Sequence, residues 1–255
     1  MGEALLGGLL DAGWDADEIS VAEIDGDRRR YLEERFAARV VPSAAWAVAD
    51  AEVVVVAVKP SDVPAALEGC AETLAKDTLV LSIAAGVTIA TVEAAAPGRA
   101  VVRAMPNVAA LVRHGVAAIA GSAEATEAHF QLAERVLGAV GGVVRVSEPL
   151  LDAVTGLSGS GPAYVCLVME ALVEGGVLVG LPRETATVLA RETLAGTAQL
   201  LSTGSRPEDL RASVTSPGGT TAAGLQVLEG HAVRAAFIAA VKAATERSKA
   251  LGRGE

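Results

Sequence analysis

The feature that most constrains the fold is a nearly unbroken run of β-branched residues, E-V-V-V-V-A-V at 52–58. Such a run predicts a strand that is buried on both faces, as in a parallel sheet covered by helices. Further short strands are predicted at 19–24, 39–41, 78–84, 100–104, 116–120 and 142–146, with helical segments between them. Strands that alternate with helices in this way predict an α/β fold with a doubly wound, largely parallel sheet.

Sheets of this kind bind ligands at the carboxyl ends of their strands. In this chain those ends fall at Ala57-Val58-Lys59-Pro60, at residues 82–86, and at Ala104-Met105-Pro106-Asn107. The sequence therefore predicts a ligand cleft formed by these three segments.

The pattern changes after Glu148-Pro149, and only helical periodicity follows. We therefore predict two domains, an α/β domain at 1–148 and an all-α domain at 149–255. The helix predicted at 162–179 is apolar nearly all round, so it must be buried on all sides. Because about a hundred residues can hardly bury such a helix alone, we expect contacts between copies of this chain.

A cluster of small and hydroxyl-bearing residues precedes another predicted helix, S-P-G-G-T-T at 216–221. Pro217 suits the first helical turn, and Ser216 then lies at the N-cap. The N–H groups of Gly218 to Thr221 would point outward at the positive end of the helix dipole, which favours an anion. A similar helix start is predicted at 158–162, so both starts are candidates for holding a small carboxylate.

Composition and charge exclude several classes of protein. The formal net charge is −10 and no basic stretch is longer than Arg28-Arg29-Arg30, which argues against nucleic acid as a partner. No apolar run approaches the roughly 18 residues of a membrane span, and no signal peptide is visible, so a soluble, cytoplasmic protein is expected. Cys70 and Cys166 lie far apart and show no metal-ligand spacing.

Four motifs together resemble the pyrroline-5-carboxylate reductase family: V-A-V-K-P at 56–60, R-A-M-P-N at 103–107, G-S-G-P-A-Y at 159–164 and V-T-S-P-G-G-T-T-A-A-G-L at 214–225. Their order and spacing match the family over essentially the whole chain. The resemblance implies a Rossmann-like domain followed by a helical domain that dimerises, often within a decamer. It also implies reduction of 1-pyrroline-5-carboxylate to L-proline by NADPH or NADH, the last step of proline biosynthesis.

The resemblance also implies roles for particular residues. Ser216, Gly218, Gly219, Thr220 and Thr221 would hold the substrate carboxylate and ring nitrogen, with Thr221 the catalytic candidate that hydrogen-bonds the nitrogen. Val58, Lys59, Pro60, Ala85, Ala104, Met105, Pro106 and Asn107 would line the nicotinamide and its ribose. No metal is implied. Because a cyclic imine is basic enough to be partly protonated already, positioning and electrostatics can supply most of the catalysis.

The chain departs from the family at its beginning. Members begin with an apolar strand and a G-x-G-x-M-G turn, of which Met1-Gly2-Glu3 matches only the end. We therefore expect the natural start to lie upstream, with Met1 and Gly2 as the remaining part of the cofactor turn. Since the missing strand is central in such a sheet, Ile19–Ile24 and Val53–Val58 should be left without a shared partner.

A second departure concerns the choice of cofactor. Glu23, near the end of the strand predicted at 19–24, favours ribose hydroxyls and repels a 2′-phosphate, which argues for NADH. Arg28 and Arg29 are near enough in sequence to reach such a phosphate, so NADPH stays open.

Two alternative functions are also considered. One is a catalytically impaired form that only oligomerises through its helical domain. The other is a β-hydroxyacid dehydrogenase, which uses a lysine on the long helix of its second domain, whereas residues 150–202 contain no lysine.

Overall fold

The first 145 residues alternate between strands and helices, as the sequence predicted. The computed structural model describes residues 1–253. The strands are β1 Ser20–Ala22, β2 Arg39–Val41, β3 Val53–Val56, β4 Leu79–Ser82, β5 Val101–Pro106, β6 Gly115–Gly121 and β7 Gly141–Arg145. The helices between them are α1 Gly2–Asp11, α2 Gly26–Arg35, α3 Ala44–Ala47, α4 Val63–Glu68, α5 Ile89–Ala95 and α6 Glu127–Gly138.

These strands form two sheets rather than one. β1 pairs with β2 in parallel, and a five-stranded sheet has the order β3-β4-β5-β6-β7. All its pairs are parallel except β5 with β6. Within residues 1–253, β1 and β3 share no partner strand and each has one unpaired edge. The predicted gap between Ile19–Ile24 and Val53–Val58 is thus confirmed.

The gap changes the burial of β3. Val53, Val54 and Val55 are only half-buried, whereas every residue of β4 is buried. Both faces of β3 still pack against a core cluster, with Val54 and Val56 on one face and Val53 and Val55 on the other. The predicted cover on both faces is therefore confirmed, but full burial is not. The physical reason is that β3 is an edge strand, so its flanks lack the cover that neighbouring strands and helices give to β4 and β5.

Only helices follow β7 in the described residues, which confirms the predicted change of pattern. They are α7 Leu151–Val154, α8 Gly161–Leu178, α9 Arg183–Ser202, α10 Pro207–Ser213, α11 Thr220–Gly230 and α12 Val233–Gly252, with a π-helical turn at Thr155–Gly159 before α8.

The chain divides into two structural units. Unit 1 is Met1–Ser160 together with the end of the chain from Ala243, and unit 2 is Gly161–Lys242. In unit 1 the buried Ser248 hydroxyl of α12 donates to Asp152 Oδ1 of α7 at 2.7 Å. This bond ties the last helix to α7.

The apolar helix α8 is not buried by its own chain. Of its residues only Val173 is buried, while Leu167 is 64% and Leu178 is 86% exposed. The helical stretch Glu148–Leu178 spans 31 residues, with a mean hydropathy of 1.4 in its apolar window. It is long and apolar enough to cross a membrane by length and composition, so the expectation that no such run exists was wrong. One such helix is weak evidence for a span, because core helices of soluble proteins have the same composition.

Candidate functional site

The carboxyl ends of the three parallel strands β3, β4 and β5 lie together at one end of the five-stranded sheet. Val56 pairs with Ser82, and Ser82 pairs with Arg103, so the segments that follow β3 and β4 leave the sheet side by side. Val58, Lys59, Pro60 and Ala85 are all exposed there. The structure thus brings the predicted cofactor-lining residues of these two strands to the same edge.

The R-A-M-P-N segment lies mostly inside its strand, whereas the segments after β3 and β4 lie beyond theirs. β5 runs through Met105 and Pro106, because both pair with β6, instead of ending before them. Ala104 and Pro106 are buried, whereas Met105 and Asn107 are half-buried. The Asn107 Oδ1 atom accepts the N–H of Val116 at 3.2 Å. Of these four residues, only Met105 and Asn107 have side-chain surface at the strand end.

The start of α1 lies beside the end of β3. A Cβ atom placed on Gly2 would lie 3.1 Å from the Ala57 Cβ, so this close approach favours glycine. The first intrahelical bond runs from the N–H of Leu5 to the carbonyl of Met1. The N–H groups of residues 2–4 therefore lack intrahelical partners and lie at the positive end of the α1 dipole. These residues fit a phosphate group.

Side chains of α2 hold Glu3, the acidic residue in the first turn of α1. Glu3 accepts hydrogen bonds from Arg28 and from the Tyr31 hydroxyl, the latter at 3.0 Å. The guanidinium of Arg28 holds the pKa of the Glu3 carboxyl below its ordinary value. Glu23, half-buried directly after β1, accepts the N–H of Asp25 on Oε1 at 3.0 Å. A carboxylate at the end of β1 fits a ribose with free hydroxyls.

Sequence reasoning missed an ion pair made by the buried arginine of the R-A-M-P-N segment itself. The side chain of Arg103 is 8% exposed, and its Nη1 atom lies 3.1 Å from Glu148 Oε1. The same Glu148 oxygen accepts the N–H of Ile89, at the start of α5, at 2.7 Å. The available signal was the arginine itself, since a charge within a buried strand requires a partner. Glu148 thereby fixes the start of the connection from β7 to α7.

In unit 2, the S-P-G-G-T-T segment forms a turn before α11 rather than the first turn of the helix. Gly219 N–H donates to the Ser216 carbonyl at 3.0 Å, and Gly218 has φ of +71°. Proline followed by a residue with positive φ is the pattern of a type II turn. α11 begins at Thr220 with Gly219 at the N-cap. The prediction that Ser216 is the N-cap and Pro217 lies in the first turn was therefore wrong, because the turn uses the Ser216 carbonyl.

The unused first-turn amides lie at residues 220–222, whereas the sequence predicted them at residues 218–221. The N–H of Ala223 makes the first helical bond, to the Gly219 carbonyl, so residues 220–222 retain first-turn N–H groups without intrahelical partners. A Cβ atom on Gly219 would clash with the Ser216 Oγ atom in its present rotamer and would lie 3.1 Å from the Ser216 carbonyl oxygen. This close approach favours glycine at position 219. Thr221 is half-buried and Thr220 is exposed.

The second predicted helix start does not form. Residues 155–159 make a π turn that follows α7, with Ser160 N–H donating to the Thr155 carbonyl at 2.9 Å. Since the backbone before Pro162 is already helical, the prediction of a free helix N-terminus at 158–162 was wrong. Gly159 instead approaches β5, because a Cβ atom there would lie 3.0 Å from the Met105 Cε atom. Single π turns are frequent at functional sites.

The divided parallel sheet, the amides at the head of α1 and the carboxylate after β1 define a dinucleotide-binding oxidoreductase with a helical second unit. Two family models match the chain. Residues 148–251 match the model described as pyrroline-5-carboxylate reductase dimerisation. Residues 1–86 match the model described as NADP oxidoreductase coenzyme F420-dependent.

Curated relatives identify the family. A pyrroline-5-carboxylate reductase of Synechocystis is 45% identical over 99% of this chain and 95% of the relative. One of Mycobacterium tuberculosis is 46% identical over 98% of this chain and 93% of the relative. The chain therefore belongs to the pyrroline-5-carboxylate reductase family, whose members are NAD(P)H-dependent oxidoreductases. This membership favours the main interpretation over a β-hydroxyacid dehydrogenase.

Solved structures agree with the family. A pyrroline-5-carboxylate reductase of Coxiella burnetii has a TM-score of 0.94 and 36% identity over 98% of this chain and 94% of that one. A pyrroline carboxylate reductase of Plasmodium falciparum, solved with NADP bound, has a TM-score of 0.85 and 28% identity, covering 99% of this chain and 94% of that one. The Rossmann-like fold with a helical C-terminal part, which the sequence predicted, is thus confirmed.

Proposed function

We propose that this chain reduces 1-pyrroline-5-carboxylate to L-proline with NADPH or NADH, as the final step of proline biosynthesis in the cytoplasm. The observation that carries the proposal is the start of α11. There a glycine turn presents unused backbone N–H groups and two threonine hydroxyls, inside the segment that matches the family's dimerisation model.

The substrate carboxylate binds at the first turn of α11. The N–H groups of Thr220, Thr221 and Ala222 point along the helix axis, where the dipole favours a negative charge. Ser216, Gly218 and Gly219 form the preceding turn, and glycine at 218 and 219 lets a small ligand approach the backbone. The Thr221 hydroxyl hydrogen-bonds the ring nitrogen, which orients the C=N bond.

The cofactor binds along the strand ends of unit 1. Met1, at the N-cap of α1, and Gly2, whose amide begins the helix, lie at the phosphate, and Glu23 holds a ribose hydroxyl. Val58, Lys59, Pro60, Ala85, Met105 and Asn107 line the nicotinamide and its ribose with their side chains, while Ala104 and Pro106 contribute backbone atoms. When bound, the dihydronicotinamide supplies a hydride to the C=N carbon of the substrate.

The chemistry of the substrate explains the lack of a strong acid among the proposed residues. The imine nitrogen is basic enough to be partly protonated before reaction, so the ring already carries the proton that the product amine keeps. Thr221 therefore positions the nitrogen and does not need a shifted pKa. Fixed amides and hydroxyls do most of their catalytic work by orientation and by electrostatic stabilisation.

The same proposal assigns the two domains and their partners. Residues 1–148 bind the dinucleotide, and residues 149–255 bind the substrate and dimerise, in a homodimer or a larger assembly such as a decamer. The exposed apolar surface of α8, with Leu167 and Leu178, supports coverage by another copy. The net charge of −10 supports a small-molecule partner rather than nucleic acid.

The test is oxidation of NADH or NADPH with 1-pyrroline-5-carboxylate, comparing the chain with its Thr221→Ala variant. We expect Thr221→Ala to lower kcat by about tenfold to a hundredfold, because one oriented hydrogen bond to the reacting nitrogen is lost. Cofactor affinity should not change. Thr197→Ala is the matched control, since that hydroxyl bonds only its own helix, at the Thr193 carbonyl. Equal turnover in Thr221→Ala and Thr197→Ala would remove the role given to Thr221.

A second candidate is a form that oligomerises without catalysis. The observation in its favour is the divided sheet, in which β1 and β3 have no shared partner among the described residues. Titration with NADH and NADPH separates the two candidates. Saturable binding supports the reductase, whereas an oligomer that binds neither dinucleotide supports the second candidate.

A further inference from the structure

The loop after β1 holds a carboxylate in a defined position. The N–H of Glu23 donates to the Val41 carbonyl at 3.0 Å, which anchors the residue to β2. Its Oε1 atom accepts the N–H of Asp25, so the side chain is turned along the loop. Glu23 follows the glycine at the head of α1 by about 20 residues, the spacing at which a carboxylate receives the adenosine ribose in doubly wound folds.

The arginines that follow this loop already have acceptors. Arg28 pairs with Glu3, and its guanidinium lies 4.7 Å from the centroid of the Tyr31 ring. Arg29 donates through Nη1 to the carbonyls of Glu23 and Ile24, at 2.9 and 2.8 Å. Arg30 pairs with Asp27. A phosphate at this loop would compete with each of these contacts.

We infer that this chain prefers NADH to NADPH, and that Glu23 is the residue that determines this specificity. The inference rests on the proposed function, because it concerns the adenosine end of the same cofactor site. It decides a choice that the sequence left open between Glu23 on one side and Arg28 and Arg29 on the other.

The electrostatic reason is a repulsion between like charges. A 2′-phosphate carries between about −1.5 and −2 charges at neutral pH. Near this loop it would meet the carboxylates of Glu23 and Asp25, whereas Arg28 and Arg30 are neutralised by Glu3 and Asp27. The Arg29 guanidinium keeps its charge, but its Nη1 atom would have to leave the carbonyls of Glu23 and Ile24 to bind a phosphate. A ribose hydroxyl, in contrast, donates a hydrogen bond to the Glu23 carboxylate at no cost in repulsion. Because the loop is partly exposed, the repulsion is screened by salt.

The test measures the binding of NADH and of NADPH to the full chain in the absence of substrate. The fluorescence of the dihydronicotinamide reports the binding. We expect NADH to bind at least about tenfold more tightly at low ionic strength. Glu23→Gln keeps the size of the side chain and an oxygen that accepts the Asp25 N–H. It should bring the ratio of the two dissociation constants close to one. Glu33→Gln, the same change on the exposed face of α2, is the matched control and should leave the ratio unchanged.

The salt dependence of the unaltered chain provides a second measurement that needs no variant. Added salt should reduce the preference for NADH if repulsion causes it. A preference for NADPH that weakens with salt would mean that the arginines bind the 2′-phosphate, and it would overturn the inference while leaving the reductase intact. An unchanged ratio in Glu23→Gln would overturn the role of Glu23. Failure of both dinucleotides to bind would overturn the proposed function and this inference together.

Discussion

Unit 1 buries the centre of its sheet within one chain, whereas unit 2 leaves most of its long apolar side chains exposed. Leu79, Val80, Leu81, Val101 and Val102 have no exposed surface, but the buried core of unit 2 consists of Val173, Ala186 and Ala190. Both regions are rich in aliphatic residues. The difference shows that apolar composition fills a core only where the chain itself supplies a second layer, and unit 2 requires another surface.

The largest expected effect tests whether the exposed apolar surface of unit 2 is covered by another copy of the chain. Leu167→Glu on α8 should raise the dissociation constant of the dimer by on the order of a hundredfold, about 3 kcal/mol, because a charge would be desolvated in the interface. Sedimentation equilibrium should then show a mass approaching 25.7 kDa. Gln199→Glu on α9 adds the same charge at an exposed polar position and should keep the oligomer. An unchanged mass for Leu167→Glu would place the interface elsewhere.

A somewhat smaller effect is expected in the core of unit 1. Val102→Ala on β5 should lower the free energy of unfolding by about 2.5 kcal/mol, because two methyl groups are removed from a fully buried position and leave a cavity. Val144→Ala on β7 makes the same change at a position that is 50% exposed, and it should cost much less. Urea unfolding of both variants measures the difference. Similar losses would mean that burial within one chain does not distinguish these strands.

The smallest effect compares a buried ion pair of unit 1 with an exposed one. Glu148→Gln should lower the free energy of unfolding by about 1.5 kcal/mol, since it leaves the buried Arg103 without its counter-charge. Glu127→Gln removes a carboxylate that Arg145 contacts on the surface, where Glu134 also binds that arginine, so it should have a smaller effect. Thermal unfolding of the two variants measures which one loses more stability. A larger loss in Glu127→Gln would contradict the view that burial makes the Arg103 pair the more stabilising one.

Most elements were predictable because each depends on neighbouring residues. The alternation of strands and helices, the helical remainder and the division of the sheet were all predicted from the sequence. The start of α11 was not, because Ser216 and Pro217 suit both a helical turn and a type II turn. The hydrogen bond from Gly219 to the Ser216 carbonyl decides between them. The π turn before Pro162 was missed for a similar reason, since local residue preferences do not reveal a single i→i−5 bond.

The candidate site likewise has features that the sequence predicted and features that it did not reveal. Motifs spaced along the sequence predicted Val58, Lys59, Met105, Asn107 and the segment 216–221 as candidate site residues. They did not reveal that Ala104 and Pro106 are buried, because β5 continues past its predicted end to pair with β6. They also did not reveal the ion pair of Arg103 with Glu148, whose members are 45 residues apart in the chain.

The sequence by itself determined the family and the order of the elements, and it selected the candidate site segments, because these depend on local periodicity and on recurring motifs. Only the tertiary structure decided which strand is an edge, which arginines already have acceptors and which apolar helix is left uncovered. Those properties depend on contacts between residues far apart in the chain, where burial and competing partners outweigh the preference of any single segment.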